Sequence, residues 1–125
     1  MEKKIIETKS APAPIGPYSQ AVQAGNLLFV SGQVPIDPAT GNVVQQDIQA
    51  ETKQVMENIK AILNEAGMDF TNIVKTTIFL TDMGTFAQVN EVYGSYFKSN
   101  FPARETVQVS ALPKAVNVEI SVIAG

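Results

Sequence analysis

The 125-residue chain contains no cysteine, no histidine and no tryptophan. Without cysteine there is neither a disulfide nor a thiolate nucleophile. Without histidine there is no Ser-His-Asp or Cys-His arrangement and no zinc site of the usual nitrogen and sulfur donors. Any chemistry must therefore use carboxylates, lysine, tyrosine, hydroxyls, backbone groups or bound water. Arginine is scarce too: the Lys+Arg total is 9, and Arg104 is the single guanidinium among them. No apolar run approaches the roughly 18 residues needed to span a bilayer. The opening Met1-Glu2-Lys3-Lys4-Ile5-Ile6-Glu7 lacks the apolar stretch of a signal peptide, so no membrane association and a cytoplasmic address are expected. A net charge of −3, with no stripe of basic residues, argues against nucleic-acid binding.

What is present reads as one soluble domain over residues 1–125. Apolar residues make up 45% and charged residues 17%, enough for a single core between two layers of secondary structure. Residues 3–8 suit a first strand, and the proline-rich stretch 11–17 suits a loop. Runs at 18–24 and 27–31, separated by Gly25-Asn26, predict a tight hairpin. Asp47 reads as an N-cap and Gly67 as a C-terminal stop. Between them Ile48, Thr52, Val55, Ile59, Ile62, Leu63 and Ala66 form one helical stripe. Glu51, Glu57 and Glu65 fall on the other face, where solvation is expected. Residues 73–80 are apolar or β-branched on both faces, as in a central strand. A second helix is expected over 85–98; Gly94 inside it should cost about 1 kcal/mol relative to alanine, and close packing is the expected reason for it. Strands at 105–110 and 116–123, joined by a turn near Leu112-Pro113-Lys114, complete the order β-β-β-α-β-α-β-β.

Two crossover helices, each right-handed, place both on one face of a six-stranded mixed sheet and leave the other face without helices. In the last two strands Val107, Val109, Val116, Val118, Ile120 and Val122 are expected on one face. Thr106, Gln108, Ser110, Asn117, Glu119 and Ser121 are expected on the other. The second set holds a single charge, little for a solvated sheet face, so a homo-oligomer covering it is expected.

Arg104 is the leading candidate for chemistry. Surface ion pairing is the commonest use of an arginine. Here lysine does that work everywhere else, and a guanidinium is suited to gripping a carboxylate with two parallel hydrogen bonds. Glu119 is the second candidate, a lone carboxylate in mid-strand that is either paired structurally or poised as an acid or base. The two strands are expected to be neighbours, so both residues could face one cavity. Tyr18 and Ser31 stand at opposite ends of the predicted hairpin, where packing or turn bonding is their ordinary use.

Five segments, Gly16-Pro17-Tyr18-Ser19-Gln20-Ala21, Ser31-Gly32-Gln33-Val34-Pro35, Val89-Asn90-Glu91-Val92-Tyr93-Gly94, Pro102-Ala103-Arg104 and Val118-Glu119-Ile120, resemble in order and spacing the RidA (YjgF) family, reactive intermediate deaminase A. The resemblance implies an α+β, chorismate-mutase-like domain assembled as a homotrimer with sites between subunits. It implies hydrolysis of 2-imino acids, derived from enamines such as 2-aminoacrylate and 2-aminocrotonate, to 2-keto acids and ammonia, without a cofactor or metal. Arg104 matches the family's carboxylate-binding arginine and, with Glu119, would be catalytic. Tyr18, Ser31, Asn90 and Thr106 would help to bind substrate. Glu105 and Thr106 depart from the family, where a small residue and often cysteine follow the arginine. Alternation along the strand should turn Glu105 away from Arg104's ligand. A non-enzymatic module sensing keto or amino acids through the same cleft is the alternative reading.

Overall fold

The computed structural model describes residues 2–125. Its elements run β1 (Lys3–Ile6), β2 (Ala21–Ala24), β3 (Leu27–Gln33), α1 (Ile48–Glu65), β4 (Ile73–Leu80), α2 (Phe86–Gly94), β5 (Ala103–Gln108) and β6 (Val118–Ala124), the order expected from the sequence. The strands form one mixed sheet in the spatial order β1-β2-β3-β6-β4-β5. Gly25 takes a left-handed backbone (φ 61°) in the two-residue turn that pairs Ala24 with Leu27, a conformation that its missing Cβ makes inexpensive. The α2 crossover lays β5 parallel to β4 at the sheet edge, and β6 then enters antiparallel between β3 and β4.

Helix α1 starts where Asp47 accepts a hydrogen bond from the Ala50 N–H (2.7 Å), and Gly67 follows its end with φ 75°. Val55, Met56, Ile59, Ile62 and Leu63 are fully buried against Leu28, Val30, Ile78, Leu80, Val118 and Ile120 of the sheet. Burying each large aliphatic side chain contributes about 1.5–3 kcal/mol relative to leaving it exposed. Helix α2 is shorter than expected and ends at Gly94, after which the chain continues through Ser95 and Tyr96 in turns. A Cβ built on Gly94 would meet nothing within 4 Å, so close packing is not what this glycine provides.

One helix-face acid differs from expectation, and Glu57 stays exposed as expected. Glu51 is buried (2% exposed), with its two carboxylate oxygens accepting from the Asn117 N–H (3.0 Å) and Asn117 Nδ2 (2.7 Å). Glu57 accepts from the Tyr96 hydroxyl at 2.7 Å, tying α1 to the turn after α2. The helical period assigned Glu51 to the solvent side because the loop that carries Asn117 over it is remote in sequence.

The sheet faces also need correction at β5. Arg104 pairs with Thr76, Thr106 with Ile78 and Gln108 with Leu80, so these three belong to the helix-covered face. Glu105 and Val107, beside Thr77 and Phe79, belong to the helix-free face. An edge strand is wetted on both faces, so its hydropathy pattern does not determine its parity. Ile5, Val22, Phe29 and Ile123 lie in register across the helix-free face, and Ile5 and Phe29 remain about half exposed (48% and 43%).

Candidate active site

The guanidinium of Arg104 lies against one stripe of α2. Phe86, Asn90 and Tyr93 are spaced four and three residues apart, so they share a helix face. Arg104 Nη1 donates to Asn90 Oδ1 at 2.6 Å, and its Cζ sits 5.5 Å from the Phe86 ring centroid and 5.2 Å from that of Tyr93. Both rings are within cation–π reach. Tyr93 is itself fixed, donating its hydroxyl to Thr76 Oγ1 at 2.9 Å, and burial pushes its phenol pKa up. No carboxylate approaches Arg104 within ion-pair distance among the described residues. The guanidinium opens instead onto a cavity of about 620 Å³ whose walls include Asn90, Gly94, Phe101 and Pro102. Glu105 points to the other face, where the Thr77 hydroxyl (2.9 Å) and Lys75 ammonium (3.4 Å) hold its carboxyl pKa low. It therefore does not compete for Arg104.

Glu119 occupies a second cavity of about 550 Å³, with Tyr18, Ser31, Gly32, Gln33 and Lys114 among its walls. The hairpin's two chain ends lie side by side, which brings Tyr18 and Ser31 together. Val30 pairs with Val122 but Gln33 with Ile120, so β3 carries one extra residue here. A Cβ on Gly32 would overlap the Glu119 carboxylate, so only glycine allows that carboxylate to lie over the bulge. Ser31 donates its hydroxyl to the Ser19 carbonyl (2.6 Å), and Tyr18 Oη receives the Ile15 N–H at 3.4 Å. Burial raises the Glu119 pKa, and neither lysine nor arginine lies within ion-pair distance of it among the described residues.

Arg104 and Glu119 do not face one cavity within a single chain. Strand β4 separates their strands, and Arg104 aligns with Thr76 while Glu119 aligns with Phe79. Thr76 and Phe79 differ by an odd number of residues, so their partners point to opposite sides of the sheet. Asn90 joins the Arg104 cavity; Tyr18 and Ser31 join the Glu119 cavity. Thr106 lines neither of them, and its hydroxyl oxygen is buried without a hydrogen-bond partner. No group of three or more potential metal ligands occurs among the described residues, and no described helix is long and apolar enough to cross a membrane.

Comparison with known proteins places this chain in a family. The endoribonuclease L-PSP family matches residues 8–125. A RutC family protein of Pyrococcus horikoshii is 56% identical over 98% of this chain and 97% of its own. The human 2-iminobutanoate/2-iminopropanoate deaminase is 49% identical over 98% of this chain and 89% of its own. Escherichia coli TdcF, solved with bound serine, superposes with a TM-score of 0.93 at 46% identity, covering 97% of each chain. The chain belongs to the RidA family. Its single-domain fold, a six-stranded mixed sheet with two helices, is that of the Rid proteins of known structure.

Several residues of this RidA domain that shape the two cavities were not singled out from the sequence. Phe86 and Tyr93 flank Arg104, but aromatic residues on a helical stripe carry the same pattern as core residues. Gln20, 2% exposed, donates Nε2 to the carbonyls of Thr8, Ala11 and Pro12 and accepts the Thr8 N–H, fixing a loop that walls the Glu119 cavity. A buried glutamine among prolines and small residues was the available signal. Lys114 lines the same cavity from a left-handed backbone that sequence alone does not announce.

Proposed function

We propose that this RidA-family chain hydrolyses 2-imino acids to 2-keto acids and ammonia, at sites formed where the Arg104 cavity of one subunit meets the Glu119 cavity of another. The observation that carries this reading is the held but unpaired guanidinium. Asn90 takes one of its donors, Phe86 and Tyr93 lie within cation–π reach of it, and the remaining donors are left for a planar anion. Names of relatives at about half identity point the same way. The placement of Glu119 on the opposite face requires a second copy to complete the site. Exposed apolar residues on the helix-free face are suited to association, and the family resemblance makes the assembly a homotrimer.

The chemistry needs little beyond positioning. Once its nitrogen is protonated, the imine carbon is electrophilic. Arg104 holds the substrate carboxylate, and Glu119 accepts a proton from the water that attacks C2. The same carboxyl then returns that proton to nitrogen. As the C–N bond breaks, ammonia leaves and the carboxylate takes the hydroxyl proton, so that the C=O bond of the keto acid forms; that proton is finally released to ammonia, giving ammonium. Tyr18 and Ser31 shape the pocket, while Thr106, which lines neither cavity, is given no part in it. The reading calls for no resident cofactor.

The test supplies freshly generated 2-aminoacrylate to wild type and to Arg104→Ala, measuring keto acid above the spontaneous rate. Loss of the bidentate contact, about 2–4 kcal/mol of transition-state binding, corresponds to a fall of about 30- to 1,000-fold in kcat/KM. Wild-type turnover in the variant would remove Arg104 from the mechanism. A second reading, a sensor of small α-amino or keto acids, takes support from the serine bound to TdcF. Saturable keto-acid binding by wild type without turnover would select it.

A further inference from the structure

We propose that Lys114 forms a subsite for a second carboxylate in the Glu119 cavity, so that the chain accepts 2-imino acids whose side chain is itself acidic. The inference rests on the imine-hydrolysis reading and names a substrate class within it. Lys114 and Glu119 are the charged residues on the wall of that cavity. Among the described residues no carboxylate lies within ion-pair distance of Lys114, so its charge is uncommitted. Arg104 serves the carboxylate beside the reacting carbon; a substrate with a neutral side chain gives Lys114 nothing to hold.

The side chain of Lys114 is exposed, but the backbone that carries it is constrained. Lys114 (φ 58°, ψ 25°) and Ala115 (φ 55°) are consecutive non-glycine residues in the left-handed region, which disfavours both. Pro113 restricts the chain before them. After them Val116 is buried (1% exposed), and Asn117 is held by both carboxylate oxygens of the buried Glu51. Asn117 Oδ1 and its carbonyl oxygen also accept from the Thr81 hydroxyl and N–H, each at 3.2 Å. Helix α1 and the end of β4 thus pin the residue two places after the strained pair, and the loop places Lys114 on the cavity wall. Electrostatics give that cation a use. A dianionic substrate must enter beside Glu119, whose negative charge opposes it, and Lys114 is the group on this wall that can offset the repulsion. Its four-carbon stem lets one ammonium meet acids of different length.

The experiment compares kcat/KM for imines generated in the assay by amino-acid oxidases from alanine and from aspartate or glutamate, with wild type, Lys114→Gln and Lys114→Arg. The Gln variant should lower the ratio of diacid to monoacid kcat/KM by about tenfold, and the Arg variant should keep it within about twofold of wild type. An unchanged ratio in Lys114→Gln, or an equal loss on both substrates, overturns the proposal. Wild type that hydrolyses no imine refutes the deaminase reading separately. Calorimetric affinity for 2-oxoglutarate against pyruvate, in wild type and Lys114→Gln, then decides the subsite: a selective loss for 2-oxoglutarate upholds it, and equal affinities reject it.

Discussion

Glu119 is half-buried, with no lysine or arginine within ion-pair distance among the described residues, and that burial holds its carboxyl protonated to higher pH than an exposed glutamate. Two opposite pH effects follow. As a general base it works only when ionised, so the acidic limb of kcat/KM should lie above the ordinary glutamate range, and Glu119→Gln should abolish that limb with most of the activity. For stability the sign reverses. A folded pKa above the unfolded one means that the native state binds the proton more tightly, so stability is greatest at low pH and declines as pH rises through the folded pKa. Glu119→Gln should therefore melt higher than wild type at neutral pH and close to it under acid conditions. Thermal denaturation of both proteins at fixed concentration across that range checks the prediction. A variant less stable than wild type at neutral pH would mean that the Glu119 charge contributes to the fold.

Scarcity made Arg104 legible: in a chain that otherwise uses lysine, one guanidinium beside a proline and before a strand stands out. Glu119 was legible as a charge in an apolar strand, but its partners were not. Gly32 leaves room for its carboxylate through a bulge, and the hydropathy of 27–33 gives no sign of the inserted residue.

At the scale of elements, the central pieces could be read because burial imposes a period. Strand β4 matches its predicted bounds and α1 matches its cap, since each has a core face that one pattern of apolar residues satisfies. Strand β5 could not be read in the same way. It pairs only with β4, its residues remain largely exposed, and its facing depends on register with a strand more than twenty residues earlier. Glu51 shows a similar dependence, since its role is set by Asn117, far along the chain and brought beside α1 only by the fold. Truncating it removes two charge-assisted hydrogen bonds from a buried carboxylate to the partly exposed Asn117, so Glu51→Ala should cost about 2–4 kcal/mol of unfolding free energy. Urea denaturation at one protein concentration measures this, and a change below about 0.5 kcal/mol would show that water replaces the carboxylate. The same variant loosens the loop that holds Lys114, linking the start of β6 to the cavity wall.

At the scale of the whole molecule the decisive fact is topological. Inserting β6 between β3 and β4 puts the Glu119 cavity and the Arg104 cavity on opposite sides of one sheet, so no side-chain rearrangement within a chain brings them together. The proposed site is therefore heterologous: one surface of a subunit meets a different surface of the next, an arrangement that closes into a ring when the rotation between subunits divides a full turn. This gives a test that single variants cannot. Arg104→Ala and Glu119→Ala subunits should each be nearly inactive alone. If they are denatured, mixed in equal amounts and refolded, about a quarter of the interfaces should pair an intact Arg104 half with an intact Glu119 half, and activity should return to about that fraction of wild type. Refolding each variant separately and mixing only afterwards, without subunit exchange, should restore none. Activity that stays absent after co-refolding, with the assembly shown intact by light scattering, would mean that each site needs both residues from one chain, which this sheet order does not allow.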